Sequence, residues 1–100
     1  MEFFSHEEGQ SRVFSLKGRL EFGDFPDSSQ VLDALEDNDI SQVVIDLTDL
    51  EFMDSAGVGL LIGFNKSAAE KDKTIVLRGA SGGVGELLEL FQLASVFDIR

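Results

Sequence analysis

The residues best suited to chemistry lie in one run, Asp54-Ser55-Ala56-Gly57-Val58-Gly59, between an apolar strand pattern and a helix pattern. A hydroxyl at the start of a helix lies among free backbone N–H groups and at the positive end of the helix dipole. Ser55 is therefore either part of a structural cap or a reversible charge switch. The residues alone favour a cap, in which Ser55 or Asp54 accepts a bond from an orphan N–H. Val58 stands where a capping box needs Glu or Gln, so that cap is not optimised.

Two glycines, Gly57 and Gly59, fall in the first turn of this predicted helix. Each costs up to about 1 kcal/mol relative to Ala in a helix interior, so their presence needs a reason. Because glycine has no Cβ, another group can approach its backbone closely. Our hypothesis is that both glycines keep the loop open and give access to Ser55.

The helix that follows Ser55 has an apolar arc wider than a single core-facing stripe needs. At about 100° per residue, some of its apolar residues share one face and others extend that face sideways. The shared face consists of Val58, Leu61, Ile62 and Ala69, and the extension consists of Leu60 and Phe64. Two interpretations stay open: the helix is wedged between neighbouring elements, or Leu60 and Phe64 form a partly exposed docking edge.

Acidic residues near this run, Asp46, Asp49, Glu51 and Asp54, suggest a cation site or the phosphoacceptor of a receiver domain. A receiver needs an acidic pair after its first strand, whereas the early pair Glu7-Glu8 lies in a predicted turn before the second strand. We therefore interpret these residues as solvated acids on a connecting loop.

Neither glycine run fits a nucleotide site. The run from Gly57 to Gly63 places its third glycine one residue late for a dinucleotide pattern, and Gly79–Gly85 lacks the Lys of a P-loop. His6 is the sole histidine, so neither a Ser-His-Asp relay nor a His-based metal site is expected. We predict no catalytic residue, no metal ligand and no cofactor.

The charge balance limits the partners. Eight Lys and Arg against nineteen Asp and Glu give these 100 residues a net charge of −11. Such a chain repels phosphate backbones and anionic lipids, so we expect neither direct nucleic acid binding nor membrane insertion. The sequence has no Cys and no apolar run of the roughly 20 residues that span a bilayer, and its first residues do not show the basic and apolar pattern expected of a signal segment. We expect one cytoplasmic domain.

Turn residues and apolar runs predict strands alternating with helices. Before the central run we expect a strand at Phe3-Phe4, a turn at Glu7–Gln10, a strand at Arg12–Lys17 and a break at Gly23–Pro26. A helix capped by Asp27 or Ser28 should follow and end near Asp37–Asp39. Its core-facing residues should be Val31, Leu32 and Leu35. After that helix we expect a central strand at Val43–Leu47, a connection at Thr48–Met53 and a helix that ends at about Lys71. The remaining predicted elements are a strand at Thr74–Leu77, a loop at Gly79–Gly85, a helix at Val84–Leu93 and a strand at Ser95–Ile99. The alternation predicts an α/β domain with a partly parallel sheet.

Two segments resemble the signature of a known family. The first is Val43-Val44-Ile45-Asp46-Leu47 with Leu50-Glu51-Phe52-Met53-Asp54-Ser55-Ala56-Gly57-Val58-Gly59-Leu60-Leu61, and the second is Leu16-Lys17-Gly18-Arg19-Leu20-Glu21, similar to a G-x-L-[DE] segment. Both resemble STAS domains, specifically the small anti-sigma factor antagonists of bacterial partner-switching systems. The resemblance implies a single STAS domain over residues 1–100, with a mixed four- to five-stranded sheet and three to four helices.

The resemblance also implies a function for the central run. In that family the unphosphorylated protein binds an anti-sigma factor that is also a serine kinase of the GHKL type. Phosphorylation, here at Ser55, ends the binding, and a metal-dependent, PP2C-like serine phosphatase restores it. The partner-binding residues implied are Glu21, Asp54, Ser55, Ala56, Gly57, Val58, Gly59, Leu60 and Phe64.

Two positions depart from the family pattern. Ala56 stands where members often have Ser or Thr, and Glu21 stands where many have Asp. Two alternatives remain: a constitutive STAS subunit of a lipid-transport ABC assembly, and a partner-switch regulator of a target other than a sigma factor.

Overall fold

The structure is a computed structural model that describes residues 2–21 and 29–100. The predicted break at Gly23–Pro26 and the predicted cap at Asp27 or Ser28 lie outside the described residues. The strands are β1 (Glu2–Glu8), β2 (Ser11–Leu20), β3 (Gln42–Met53), β4 (Thr74–Arg78) and β5 (Asp98–Ile99). The helices are α1 (Ser29–Glu36), α2 (Ser55–Glu70) and α3 (Gly82–Leu90), with a short 3₁₀ helix at Leu93–Ser95.

The strands form one mixed sheet in the order β1-β2-β3-β4-β5. β1 runs antiparallel to β2, and every other neighbouring pair is parallel. β3 lies at the centre, as its β-branched run predicts, and its residues Val43, Val44 and Ile45 are all buried. The predicted α/β class, with a mixed sheet of four to five strands and three to four helices, is therefore confirmed: residues 2–21 and 29–100 form five strands and three α-helices.

The first hairpin has a tighter turn than predicted. Glu7 and Glu8, expected in the turn, belong to β1, and only Gly9 and Gln10 connect the strands. Gly9 has a positive φ of 64°, which favours glycine at a tight turn. Arg12 pairs with Glu7 in the register and forms an ion pair with it at 2.8 Å, which helps to keep Glu7 in the strand.

β2 and β3 are longer than predicted. Thr48–Met53, predicted as a connection, continues β3, and β2 continues beyond Lys17 to Leu20. Register shifts after Ser15 and after Gly18 absorb extra residues of β3, so the parallel pairing continues to Leu20 and Met53. Both strands therefore end side by side, directly before α2 begins.

The core face of α1 differs from the prediction at one position. Val31 and Leu35 are buried as expected, but Leu32 is 40% exposed and Ala34 is buried instead. A helix brings residues three and four apart onto one face, so Val31, Ala34 and Leu35 share the core side. Leu32 lies at the edge of that face.

The helix and strand boundaries near the C-terminus also differ from the predicted ones. α3 begins at Gly82, not Val84, and ends at Leu90, because Gln92 adopts a left-handed conformation with φ 55°. Leu93, predicted to end that helix, lies in the 3₁₀ helix together with Ser95. The last strand is consequently only Asp98–Ile99, shorter than the predicted Ser95–Ile99.

The main core fills the space between the helices and one face of the sheet. On the other face, Val13, Val44 and Val76 form a separate buried row across three strands. Arg78 lies on this second face and binds two acids, Asp46 through Nε at 3.2 Å and Glu8 through Nη2 at 3.2 Å. Asp46, interpreted above as a solvated loop acid, is therefore an ion-paired strand residue.

Candidate functional site

The candidate site lies where two parallel strands end and α2 begins. The backbone N–H of Asp54 donates a hydrogen bond to the carbonyl of Leu20 at 3.3 Å, which ties the end of β3 to the end of β2. Ser55 follows as the first residue of α2 and is exposed. The hydroxyl expected to carry the chemistry thus lies at a helix N-terminus, at the surface of the protein.

Asp54 is the N-cap of α2. Its backbone is extended, and its carboxylate accepts a hydrogen bond from the backbone N–H of Gly57 at 2.9 Å. The cap that the sequence assigns to either Asp54 or Ser55 is therefore made by Asp54. Ser55 is left exposed beside this cap and at the positive end of the helix dipole.

Gly57 has a packing role, and the hypothesis that it keeps the loop open is wrong. The residue is buried, and a Cβ there would lie 2.6 Å from Cγ of Met53 and 2.8 Å from the carbonyl oxygen of Leu20. Only glycine lets α2 approach the strand ends this closely. Gly59 differs, because it is exposed and a Cβ there would meet nothing within 4 Å.

The buried face of α2 is rotated from the predicted one. It consists of Gly57, Val58, Leu61, Phe64 and Ala68. Ile62, predicted on this face, is 42% exposed, and Ala69 is exposed as well. The close contact of Gly57 with the strands fixes the rotation of the helix, and residues at spacings of three and four from it then face the core.

The predicted docking edge is only partly present. Phe64 is 5% exposed and belongs to the main core, so its assignment to an exposed edge is wrong. Leu60 is half-buried and packs against the same core while keeping part of its surface accessible. Ala56 is half-buried and Val58 is buried. Of the predicted partner-binding residues on α2, the most accessible are Ser55 and Gly59.

A groove between α1 and α2, which sequence reasoning missed, begins beside Ser55. It has a volume of about 450 Å³ and is lined by Leu32, Ala56, Gly59, Leu60, Gly63, Phe64 and Ser67. The available signal is Gly63, a third glycine inside the helix, four residues after Gly59. Leu32, predicted to face the core, contributes to the surface of this groove instead.

Glu21 lies directly after β2, one residue from the carbonyl that holds Asp54. Its carboxylate accepts a hydrogen bond from Nε of Arg19 at 2.8 Å, and the Arg19 guanidinium lies 4.1 Å from the centre of the Phe52 ring. Glu21 therefore lies close to Asp54 and is paired with Arg19, and its partner-binding role remains a prediction. Asp49 and Glu51 are exposed on β3.

The pKa of the Asp46 carboxyl is lowered by contacts that belong to the fold, and the shift does not indicate a catalytic role. Burial alone would raise its pKa, but hydrogen bonds from Thr48 and the charge and hydrogen bond of Arg78 together lower the pKa. The pKa of Glu8 is lowered by its hydrogen bonds with Arg78 and His6. Both shifts favour the charged carboxylates that pair with Arg78, on the sheet face opposite the helices.

Within residues 2–21 and 29–100, no group of three or more His, Cys, Asp or Glu side chains is arranged to hold a metal ion. In the same residues, none of the helices has the length and apolar character that crossing a membrane requires.

Comparison with known proteins places this geometry in context. An anti-sigma-B factor antagonist of Staphylococcus aureus (strain NCTC 8325 / PS 47) is 26% identical over 93 residues, which are 91% of this chain and 86% of that protein. The anti-sigma factor antagonist SpoIIAA in its unphosphorylated form has a TM-score of 0.78 at 20% identity, covering 99% of this chain and 87% of that one. The phosphorylated form of Bacillus SpoIIAA has a TM-score of 0.76 at 19% identity, covering 99% of this chain and 91% of that one.

These structural likenesses concern the fold, and both the phosphorylated and unphosphorylated forms share it with this chain. The family assignment comes from the sequence. A family model described as "Mlab, STAS domain" matches residues 4–98, from the third residue of β1 to the first residue of β5. That match covers nearly the whole chain, so the protein belongs to the STAS domain family.

Proposed function

We propose that this protein is an anti-sigma factor antagonist of a bacterial partner-switching pathway. Its unphosphorylated form binds an anti-sigma factor that is also a serine kinase of the GHKL type, and phosphorylation of Ser55 abolishes that binding. The observation that carries the proposal is the exposed Ser55 at the N-terminus of α2, directly after the capping Asp54. The curated anti-sigma-B factor antagonist relative supports the same role.

The local electrostatics support a switch that acts on the partner and leaves the fold intact. A phosphate adds about −1.5 to −2 charges and three acceptor oxygens. At a helix N-terminus, an anion is favourable by about 0.3 to 1 kcal/mol, so α2 tolerates it. A partner surface that fits against the uncharged hydroxyl meets new bulk and new negative charge, which add to that of Asp54.

In this role the protein is a binding module and not an enzyme. The ATP and the metal ion of the reactions belong to the kinase and to a PP2C-like serine phosphatase that restores the unphosphorylated form. The exposed hydroxyl, the acidic surface and the absence of Cys suit a cytoplasmic regulator. Two further residues are candidates for contact with the partner: Glu21, which lies close to Asp54, and Leu60, which is half-buried on α2.

Incubation with the cognate kinase and ATP, followed by mass-spectrometric mapping of the phosphosite, tests the proposal. We expect a single modification at Ser55. Ser55→Ala should abolish it, whereas Ser67→Ala, which removes another hydroxyl of the same helix, should leave it unchanged. Modification elsewhere, or none, would remove Ser55 from its central role.

Co-purification with a transporter ATPase regardless of the Ser55 substitution would instead favour a constitutive subunit of a lipid-transport ABC assembly. Release of a protein other than a sigma factor would identify a different output.

A further inference from the structure

A cleft lies between α3, the 3₁₀ helix and β5, and none of its lining residues belongs to the candidate site around Ser55. Its volume is about 580 Å³, within the roughly 300–1,000 Å³ of small-molecule sites. The lining combines apolar side chains with a carboxylate, an amide and a hydroxyl. It includes Ala80, Leu88, Glu89, Gln92, Ser95 and Ile99. Apolar walls with a few polar groups are typical of a site that orients a small ligand.

Glu89 supplies the charge of this cleft. The residue is exposed, and within residues 2–21 and 29–100 its carboxylate forms no ion pair and accepts no hydrogen bond. Arg100, which follows β5, is already paired with Asp98 at 2.8 Å. The negative charge of Glu89 is therefore not neutralised by a neighbouring cation, and it favours a positively charged group in the cleft.

Gln92 has a side chain that its backbone conformation does not explain. The residue ends α3 in the left-handed region, with φ 55° and ψ 41°, where glycine is the usual residue. The other non-glycine residue with a positive φ in the described part of the chain is Asp72, and aspartate tolerates this region better than most residues. The backbone carbonyl of Gln92 accepts a hydrogen bond from the Ser95 hydroxyl at 2.8 Å, but within the described ranges its side-chain amide has no partner. That amide is thus available to a ligand.

The apolar part of the lining requires an apolar body in the ligand as well. Ile99 is 36% exposed and Ala80 is half-buried, so both offer hydrocarbon surface within the same cleft as Glu89. Covering this surface removes it from water and stabilises the complex. A hydrated metal ion would not use it, and a single lysine side chain would not fill the volume.

We propose that the cleft between α3, the 3₁₀ helix and β5 binds a small organic cation, an ammonium group on a short hydrocarbon body. The Glu89 carboxylate pairs with the ammonium group, and the side-chain carbonyl of Gln92 accepts one of its N–H bonds. The hydrocarbon body covers Ala80 and Ile99. This site is independent of the proposed switch at Ser55.

Three probes of similar shape and different charge test the proposal with the whole protein: 4-phenylbutylammonium, 4-phenylbutanol and 4-phenylbutyrate. Titrations followed by amide-resolved NMR should show the ammonium probe shifting the amides of Glu89, Gln92 and Ile99. It should bind at least about tenfold more tightly than the alcohol, because the ion pair is lost in the alcohol. The carboxylate probe should bind more weakly than the alcohol, since it meets the charge of Glu89.

A pair of charge variants separates the cleft from general attraction to an acidic protein. Glu89→Gln keeps the shape of the side chain and should weaken binding of the ammonium probe at least about tenfold. Glu86→Gln, at an exposed acid of the same helix that does not line the cleft, removes the same charge and should change the affinity less than about twofold. Thermal unfolding shows whether both variants are folded.

A pair of glycine variants tests the role of the Gln92 side chain. Gln92→Gly relieves the left-handed backbone, so it should raise the thermal unfolding midpoint and yet weaken binding of the ammonium probe at least about threefold. Asp72→Gly, at the other positive-φ position and outside the cleft, should leave the affinity unchanged. A purely structural role of Gln92 would change stability without changing the affinity.

The proposal fails if the ammonium probe does not bind, shifts amides elsewhere, binds no better than the alcohol, or binds Glu89→Gln as tightly as the natural protein. Tighter binding of a blocked lysine, N-acetyl-lysine methylamide, would overturn the assignment to a free molecule and point to a side chain of a protein partner. None of these results needs a kinase, so they are distinct from a missing phosphorylation at Ser55.

Discussion

The carboxylate of Asp54 accepts a hydrogen bond from the backbone N–H of Gly57 at 2.9 Å, and this contact places the N-cap of α2 directly before the exposed Ser55, the first residue of the helix. The same Gly57 packs against Leu20 and Met53, at the ends of β2 and β3. The cap and the close packing together hold residues 54–57 against the ends of β2 and β3 while Ser55 remains at the surface.

Loss of the Asp54 cap should destabilise the protein. Asp54→Ala leaves the Gly57 N–H without its side-chain acceptor, and we expect the free energy of unfolding to fall by about 0.5–2 kcal/mol. Asp54→Asn and Asp54→Ser, which keep an acceptor, should lose less. Urea unfolding measures all three variants. Equal losses for Ala and Asn would mean that the cap contributes nothing and that the carboxylate charge alone matters.

The glycines of α2 should respond in opposite directions to the same substitution. Gly57→Ala places a Cβ 2.6 Å from Met53 Cγ and should cost about 1–3 kcal/mol of stability. Gly59→Ala meets open space and should gain up to about 1 kcal/mol from better helix propensity. Thermal unfolding of the two variants provides the comparison, each serving as the other's control. Similar midpoints would contradict the close packing at Gly57.

Phe64 should behave as a core residue. Because it is 5% exposed within the main core, Phe64→Ala should lower the free energy of unfolding by about 3–5 kcal/mol. Phe91→Ala, at a phenylalanine that is 45% exposed, is the matched control and should cost much less. Denaturant unfolding of both variants tests this. A small loss of unfolding free energy on Phe64→Ala would contradict the burial of this side chain and support its predicted place at an exposed docking edge.

The ion pair of Asp46 with Arg78 should make stability depend on acid pH. The folded protein lowers the pKa of Asp46, so the contribution of this carboxylate is present above the unfolded-state pKa of about 3.9 and is lost as the pH falls through the folded value. Asp46→Asn should therefore be less stable than the natural protein at neutral pH, and the difference should shrink at acid pH. Asp49→Asn, at an exposed acid of the same strand, should show no such change. Urea unfolding at several pH values measures this, and a constant difference for Asp46→Asn would contradict it.

The sequence predicts the parts of this protein in which local and global preferences agree. The β-branched run at Val43–Leu47 predicts a central strand, and the polar–apolar alternation predicts β2. The extension of β3 through Met53 depends on parallel pairing with β2 across two register shifts, which no local pattern encodes. The family signature likewise directs attention to Ser55, which is exposed as a switch requires.

The surface around Ser55 is harder to predict because helix rotation is a tertiary property. A difference of less than half a turn decides whether Ile62 or Phe64 faces the core, and the contact of Gly57 with Leu20 decides it here. Leu32 is apolar, like a core residue, but it lies at the edge of the buried face of α1. The groove needs both helices in place, so it appears only in the folded chain.

The most direct test of the central claim measures how tightly the cognate anti-sigma kinase binds three forms of this protein: unphosphorylated, phosphorylated at Ser55 and Ser55→Ala. Titration calorimetry gives the affinities, and thermal unfolding shows whether each form is folded. We expect the unphosphorylated form and Ser55→Ala to bind equally. The phosphorylated form should keep its thermal stability and bind at least about 100-fold more weakly, a loss of about 2.7 kcal/mol. Equal binding by all three forms would contradict the account.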